Sequence, residues 1–150
     1  MKRFPFIVLC IFAVFCRTSA QTASYTLVGA EVKSPSSVLI TLKTFGEKKK
    51  TVDLEAKCAA IRIIMFDGLD GTIYNKPLLN QGTMALRENE EYFDNLFNNR
   101  ISDVVRSATM KSKFKKAEKG EKSTLFMVEV NYIQLKKDLE KNKIKKQLGI

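Results

Sequence analysis

The stretch that most constrains this chain is residues 54–66. Leu54, Cys58, Ile61 and Met65 recur at helical spacing, and Ala59, Ala60, Ile63, Ile64 and Phe66 spread apolar surface over almost the full circumference beyond Cys58. A helix that is apolar nearly all round must be covered by the rest of the chain. Thr51 suits its N-cap, with Asp53 and Glu55 in the first turn where carboxylates complement the positive end of the helix, and Asp67-Gly68 stops it.

Two regions supply the cover. Around the turn Ser34-Pro35-Ser36, the even positions Thr26, Val28, Ala30 and Val32 are answered by Val38, Ile40 and Leu42, the period of a β-hairpin. Near the other end, Val104, Ala108, Met110 and Phe114 alternate with Ser107, Thr109, Lys111, Lys113 and Lys115 along 103–117. A turn at Glu118-Lys119-Gly120-Glu121 leads into Phe126, Val128, Val130 and Tyr132, again every second residue. A second helix is expected from about Ala85 to Arg100, with Glu88, Glu90 and Glu91 early and the pairs Tyr92/Leu96 and Phe93/Phe97 on one face. Leu135 and Leu139 mark a third. The order is ββααββα, an α+β fold whose mostly antiparallel sheet of about four strands carries helices on one face. Residues 67–83 form a connector long enough to suggest a working loop.

Before the domain stands a leader. Lys2 and Arg3 precede an apolar run from Pro5 to Cys16, and Thr18-Ser19-Ala20 then supplies small residues, the three parts of a secretory signal peptide covering 1–20. The apolar run is about 12 residues, short of the roughly 18–20 that span a bilayer. Lipid attachment at Cys10 or Cys16 calls for a small residue just before the cysteine, where Leu9 and Phe15 stand, so cleavage after Ala20 and a single domain over 21–150 are expected. Cys58 then remains alone, and no internal disulfide can form.

The side chains most used for chemistry are scarce. The chain has no His and no Trp. Cys58 lies mid-helix among alanines with no histidine to deprotonate it, and reads as a small buried hydrophobe. Asp67-Gly68-Leu69-Asp70-Gly71 alternates carboxylates and glycines like a calcium loop but lacks the EF-hand spacing. Asp67 and Asp70 are nevertheless the candidate loop site, for an ion or for a small hydrolase. Glu88, Glu90 and Glu91 crowd one helix start instead of facing across a substrate, which suits the helix dipole better than glycoside hydrolysis. No catalytic residue, metal or cofactor is expected.

Charge is unevenly spread. Residues 21–110 carry 11 basic and 11 acidic side chains, whereas 111–150 carry 12 lysines against Glu118, Glu121, Glu129, Asp138 and Glu140. Lys111, Lys113 and Lys115, at a period of two, are candidates for contact with an anionic lipid or polysaccharide. They lack the interleaved aromatics of a nucleic-acid surface, so nucleic acid is not an expected partner.

The run Glu55-Ala56-Lys57-Cys58-Ala59-Ala60-Ile61, a second helix, a strand of the type in 103–115 and Lys119-Gly120-Glu121 to Thr124-Leu125-Phe126-Met127-Val128-Glu129-Val130, leading into Leu135-Lys136-Lys137-Asp138-Leu139, together resemble a known family. This is the small envelope-lipoprotein domain, itself similar to the N-terminal domain of the flagellar assembly T protein and to related exported proteins of Gram-negative bacteria. The resemblance spans about residues 50–140. It implies a non-catalytic module, periplasmic or outer-membrane-associated, that helps assemble a larger envelope structure through contacts with a protein partner.

Overall fold

A computed structural model describes residues 25–117 and 121–144. Residues 1–24, which include the expected leader over 1–20, residues 118–120, where a turn is expected, and residues 145–150 lie outside them. The elements are β1 (Tyr25–Ser34), β2 (Ser37–Phe45), α1 (Lys49–Arg62), a π turn (Ile63–Asp67), α2 (Met84–Glu88), α3 (Glu90–Asn98), α4 (Ile101–Val104), β3 (Val105–Met110), β4 (Lys115–Lys116), β5 (Lys122–Asn131) and α5 (Tyr132–Lys141). The expected α+β order holds, with five strands in place of about four.

All strand pairs are antiparallel, in the order β1-β2-β5-β3 with β4 also on β5. The N-terminal hairpin therefore meets the C-terminal one through its inner members, Val38 opposite Val130, Ile40 opposite Val128 and Leu42 opposite Phe126. All six side chains are buried. They form the covered face, against which α1 lays Val52, Ala56, Ala59, Ala60 and Ile61. Alanines at this contact let helix and sheet approach closely, and large residues on the sheet fill the space between them.

Several boundaries differ from the sequence expectation. Helix α1 starts at Lys49 with Lys48 as N-cap, ahead of Thr51, so Asp53 and Glu55 lie beyond the first turn. Leu54 is exposed and Cys58 only half-buried, because the buried face of α1 runs through Val52, Ala56 and Ala59. In β1 a register shift between Leu27 and Gly29 breaks the alternation, putting Tyr25 and Leu27 on the covered-face register and leaving Val28 58% exposed. The second expected helix is split into α2 and α3 at Asn89, whose side chain donates to the Ala85 carbonyl at 3.0 Å. Residues 101–104 are helical, so the expected strand over 103–117 starts at Val105. It is also interrupted after Met110. Between Met110 opposite Phe126 and Lys115 opposite Ser123, the outer strand has two residues more than β5. Ser112 occupies the gap: its hydroxyl accepts from the Leu125 N–H at 3.0 Å, and its carbonyl accepts from the Thr124 hydroxyl at 2.5 Å. A side chain satisfying backbone groups in this way replaces the regular ladder.

The connector 67–83 is pinned at several points. The π turn widens the end of α1, and the Gly68 N–H closes it on the Ile63 carbonyl at 2.9 Å. The next two carbonyls, of Ile64 and Met65, accept from the N–H groups of Leu78 and Leu79 at 3.2 and 2.9 Å. Leu69, Leu78 and Leu79 are buried in the core. Tyr74 stacks on Tyr132 with ring centroids 3.9 Å apart and donates its hydroxyl to the Pro35 carbonyl at 2.6 Å.

Candidate functional site

The lysines gather where the sequence spacing could not bring them. The Gly46 N–H donates to the Lys122 carbonyl at 2.8 Å, joining the end of β2 to the start of β5. Lys48, Lys49 and Lys50 follow at once in the chain, and Lys43 precedes, opposite Leu125. On the other side of β5, Lys111 donates its N–H to the Leu125 carbonyl at 2.7 Å, Lys115 pairs with Ser123 and Lys116 with Lys122. Together with Lys113 these make nine exposed lysines at one end of the sheet, beside the exposed carboxylates of Glu47 and Glu121. The candidates Lys111, Lys113 and Lys115 are all among them, although the interruption at Ser112 replaces the regular strand expected to carry them.

The electrostatics at this end are unfavourable within the protein itself. Lys116 and Lys122 are directly opposed across the ladder, an arrangement that destabilises a sheet. The start of α1 has no acidic residue in its first turn and no side-chain cap, and carries its lysines against the positive end of the helix. Among the described residues none of the nine forms an ion pair. Lys43 instead places its ammonium 5.6 Å from the Phe45 ring centroid. At the opposite end the cations are paired: Lys33 and Arg106 share the Glu129 carboxylate at 3.6 and 3.7 Å. The Ser37 hydroxyl donates to the same carboxylate at 2.6 Å, and this hydrogen bond holds Glu129 below the usual carboxylate range against the opposing effect of desolvation.

A second open feature is the outer edge of β1, which no described strand pairs. Tyr25 to Ala30 contain neither charge nor proline, the usual guards of an exposed edge. Leu27 is 40% exposed, beside the more open Val28, and Gly29 has free space around it. The sheet face away from the helices is open as well, with Leu39, Leu125 and Met127 half-buried on it.

The remaining candidates are dispersed. Asp67 ends the π turn and Asp70 lies in the following turn, both exposed, with the buried Leu69 between them. No group of three His, Cys, Asp or Glu side chains placed to hold a metal ion occurs among the described residues. Glu90 and Glu91 lie in the first turn of α3, while Glu88 closes α2. Burial raises the Cys58 thiol pKa, against the partly offsetting charge of Arg62, which disfavours the nucleophilic thiolate. No sequence pattern points to a part-buried polar cluster in which Asp138 accepts from the Tyr92 hydroxyl and from Arg100 Nη2, each at 2.6 Å. Its members are 46 and 38 residues apart and share no spacing rule.

No protein-family model, curated protein or solved structure matches this chain.

Proposed function

We propose that this chain is an exported, non-catalytic binding or assembly module of the cell envelope, periplasmic or outer-membrane-associated, acting through protein–protein contacts. The observation that carries the reading is the outer edge of β1, free of charge and proline from Tyr25 to Ala30 and bulged between Leu27 and Gly29. An extended segment of a partner protein, uncharged where it lies along Tyr25 to Ala30, would add a strand there. Main-chain hydrogen bonds would supply affinity, and the side chains around Leu27 and Val28 would supply selectivity. The resemblance to the small envelope-lipoprotein domain supports the same reading, as does a side-chain inventory without histidine.

The test is site-specific crosslinking. A photoreactive residue in place of Val28 should give a discrete protein adduct in envelope fractions, and one in place of the distant Ile73, which is 76% exposed, should give none. The edge-blocking pair Thr26→Lys and Gly29→Lys should abolish the adduct without altering the melting temperature. Absence of an adduct from Val28, or an adduct undiminished by the two lysines, overturns the reading.

A further inference from the structure

We propose that the lysine-rich end of the sheet docks the protein, peripherally, on an anionic phospholipid bilayer. Four segments build this end: Lys43 on β2, Lys48, Lys49 and Lys50 at the start of α1, Lys111 to Lys116 around β4, and Lys122 on β5. Their concentration is costly to the isolated fold, with like charges opposed across a ladder and at the wrong end of a helix. An external anion relieves both.

The geometry favours a surface over a linear polyanion. Lys43, Lys111 and Lys115 stand on the register of the open sheet face, Lys116 and Lys122 on that of the helix-covered face, and Lys48 to Lys50 on the adjoining helix. The charges thus surround an end instead of lining one groove, and a planar layer of headgroups can meet them together. All nine are lysine. Ammonium groups act as hydrated point charges suited to a diffuse field of phosphates, whereas recognition of individual anionic groups along a chain favours the bidentate fork of arginine. Clusters of about four to eight basic residues mark binding to anionic lipid headgroups, each adding a small increment of attraction near the surface, which suits reversible docking. Among the described residues no helix is long and apolar enough to cross a membrane, and the proposed contact needs none.

Co-sedimentation of the mature protein with phosphatidylglycerol-containing vesicles tests this independently of any protein partner. Binding is expected to these vesicles and not to pure phosphatidylcholine. It should weaken at least tenfold between 0.1 M and 1 M salt, as the screening length falls from about 10 Å to about 3 Å. The triple variants Lys48→Gln, Lys49→Gln, Lys50→Gln and Lys115→Gln, Lys116→Gln, Lys122→Gln should each lose at least tenfold in affinity with unchanged circular dichroism. Lys33→Gln, Lys76→Gln, Lys137→Gln, which removes equal charge elsewhere, should stay within twofold. Equal losses in all three variants would reduce the effect to net charge and overturn the proposal. So would retention on soluble dextran sulfate without vesicle binding, which would make the ligand a polymer.

Discussion

The Tyr92 hydroxyl lies 2.6 Å from Asp138 Oδ2, joining α3 to α5 through a carboxylate only 8% exposed. Arg100 holds the other oxygen and also reaches Asp103 at 3.1 Å. A hydrogen bond to a charged group contributes about 1.5–3 kcal/mol. With Arg100 still in place, Tyr92→Phe should cost about 1–2 kcal/mol in urea unfolding. Asp138→Ala strands both donors and should cost about 3 kcal/mol. Equal, near-zero costs would show that α5 is held by Leu135, Leu139 and the Tyr74–Tyr132 stack, with no net contribution from Asp138.

Stability should fall on both sides of neutral pH for separate reasons. Burial, reinforced by the bond to Asp138, raises the Tyr92 pKa, and burial also raises those of Tyr25 and Tyr132. A raised pKa means stability present below the unfolded tyrosine value of about 10 and lost as pH climbs above it. Tyr92→Phe should flatten that alkaline limb in part. Glu129 is lowered, so its contribution is present above the unfolded carboxylate value and lost as pH falls below it. Ser37→Ala should shrink the acid limb. Melting temperatures from pH 3 to 11 read both.

Two glycines in the connector should respond differently to the same change. Gly68 has φ +80° and ψ 179°, a region nearly confined to glycine, and an added Cβ would lie 2.4 Å from the Asn75 carbonyl oxygen. Gly68→Ala should therefore cost about 3 kcal/mol, the backbone strain and the clash together. Gly71, at φ +77°, has open space around it, and its alanine variant should cost only about 1–2 kcal/mol.

The closeness of helix and sheet can be probed at Ala60, which is fully buried. Ala60→Leu inserts three carbons into a packed interface and should cost about 1–3 kcal/mol, or more if the sheet cannot yield. Denaturant unfolding would measure it, with Leu54→Ala on the exposed side of the same helix as the near-neutral comparison.

Much of the layer arrangement was legible because it rests on period. Val38, Ile40 and Leu42, and Phe126, Val128 and Val130, alternate cleanly and are all buried. Interruptions of a period were harder to read: the shift at Leu27/Gly29, the Ser112 hydrogen bonds and the π turn at Ile63 each depend on local bonding partners that hydrophobicity does not encode. For the candidate site, Lys111, Lys113 and Lys115 were visible as a strip. Their meeting with Lys43 and Lys48 to Lys50 follows only from the pairing of β2 with β5, a relation between segments some eighty residues apart.

That same pairing sets the order in which the molecule can be completed. Ser37 lies opposite Asn131, so a chain threaded out from its amino terminus presents Val38, Ile40 and Leu42 long before their companion ribbon arrives. Contacts so remote in sequence slow folding, and the waiting hairpin has a bare apolar side open to mispairing and clumping. Any truncation before Asn131 should leave the emerging half sticky and unable to finish.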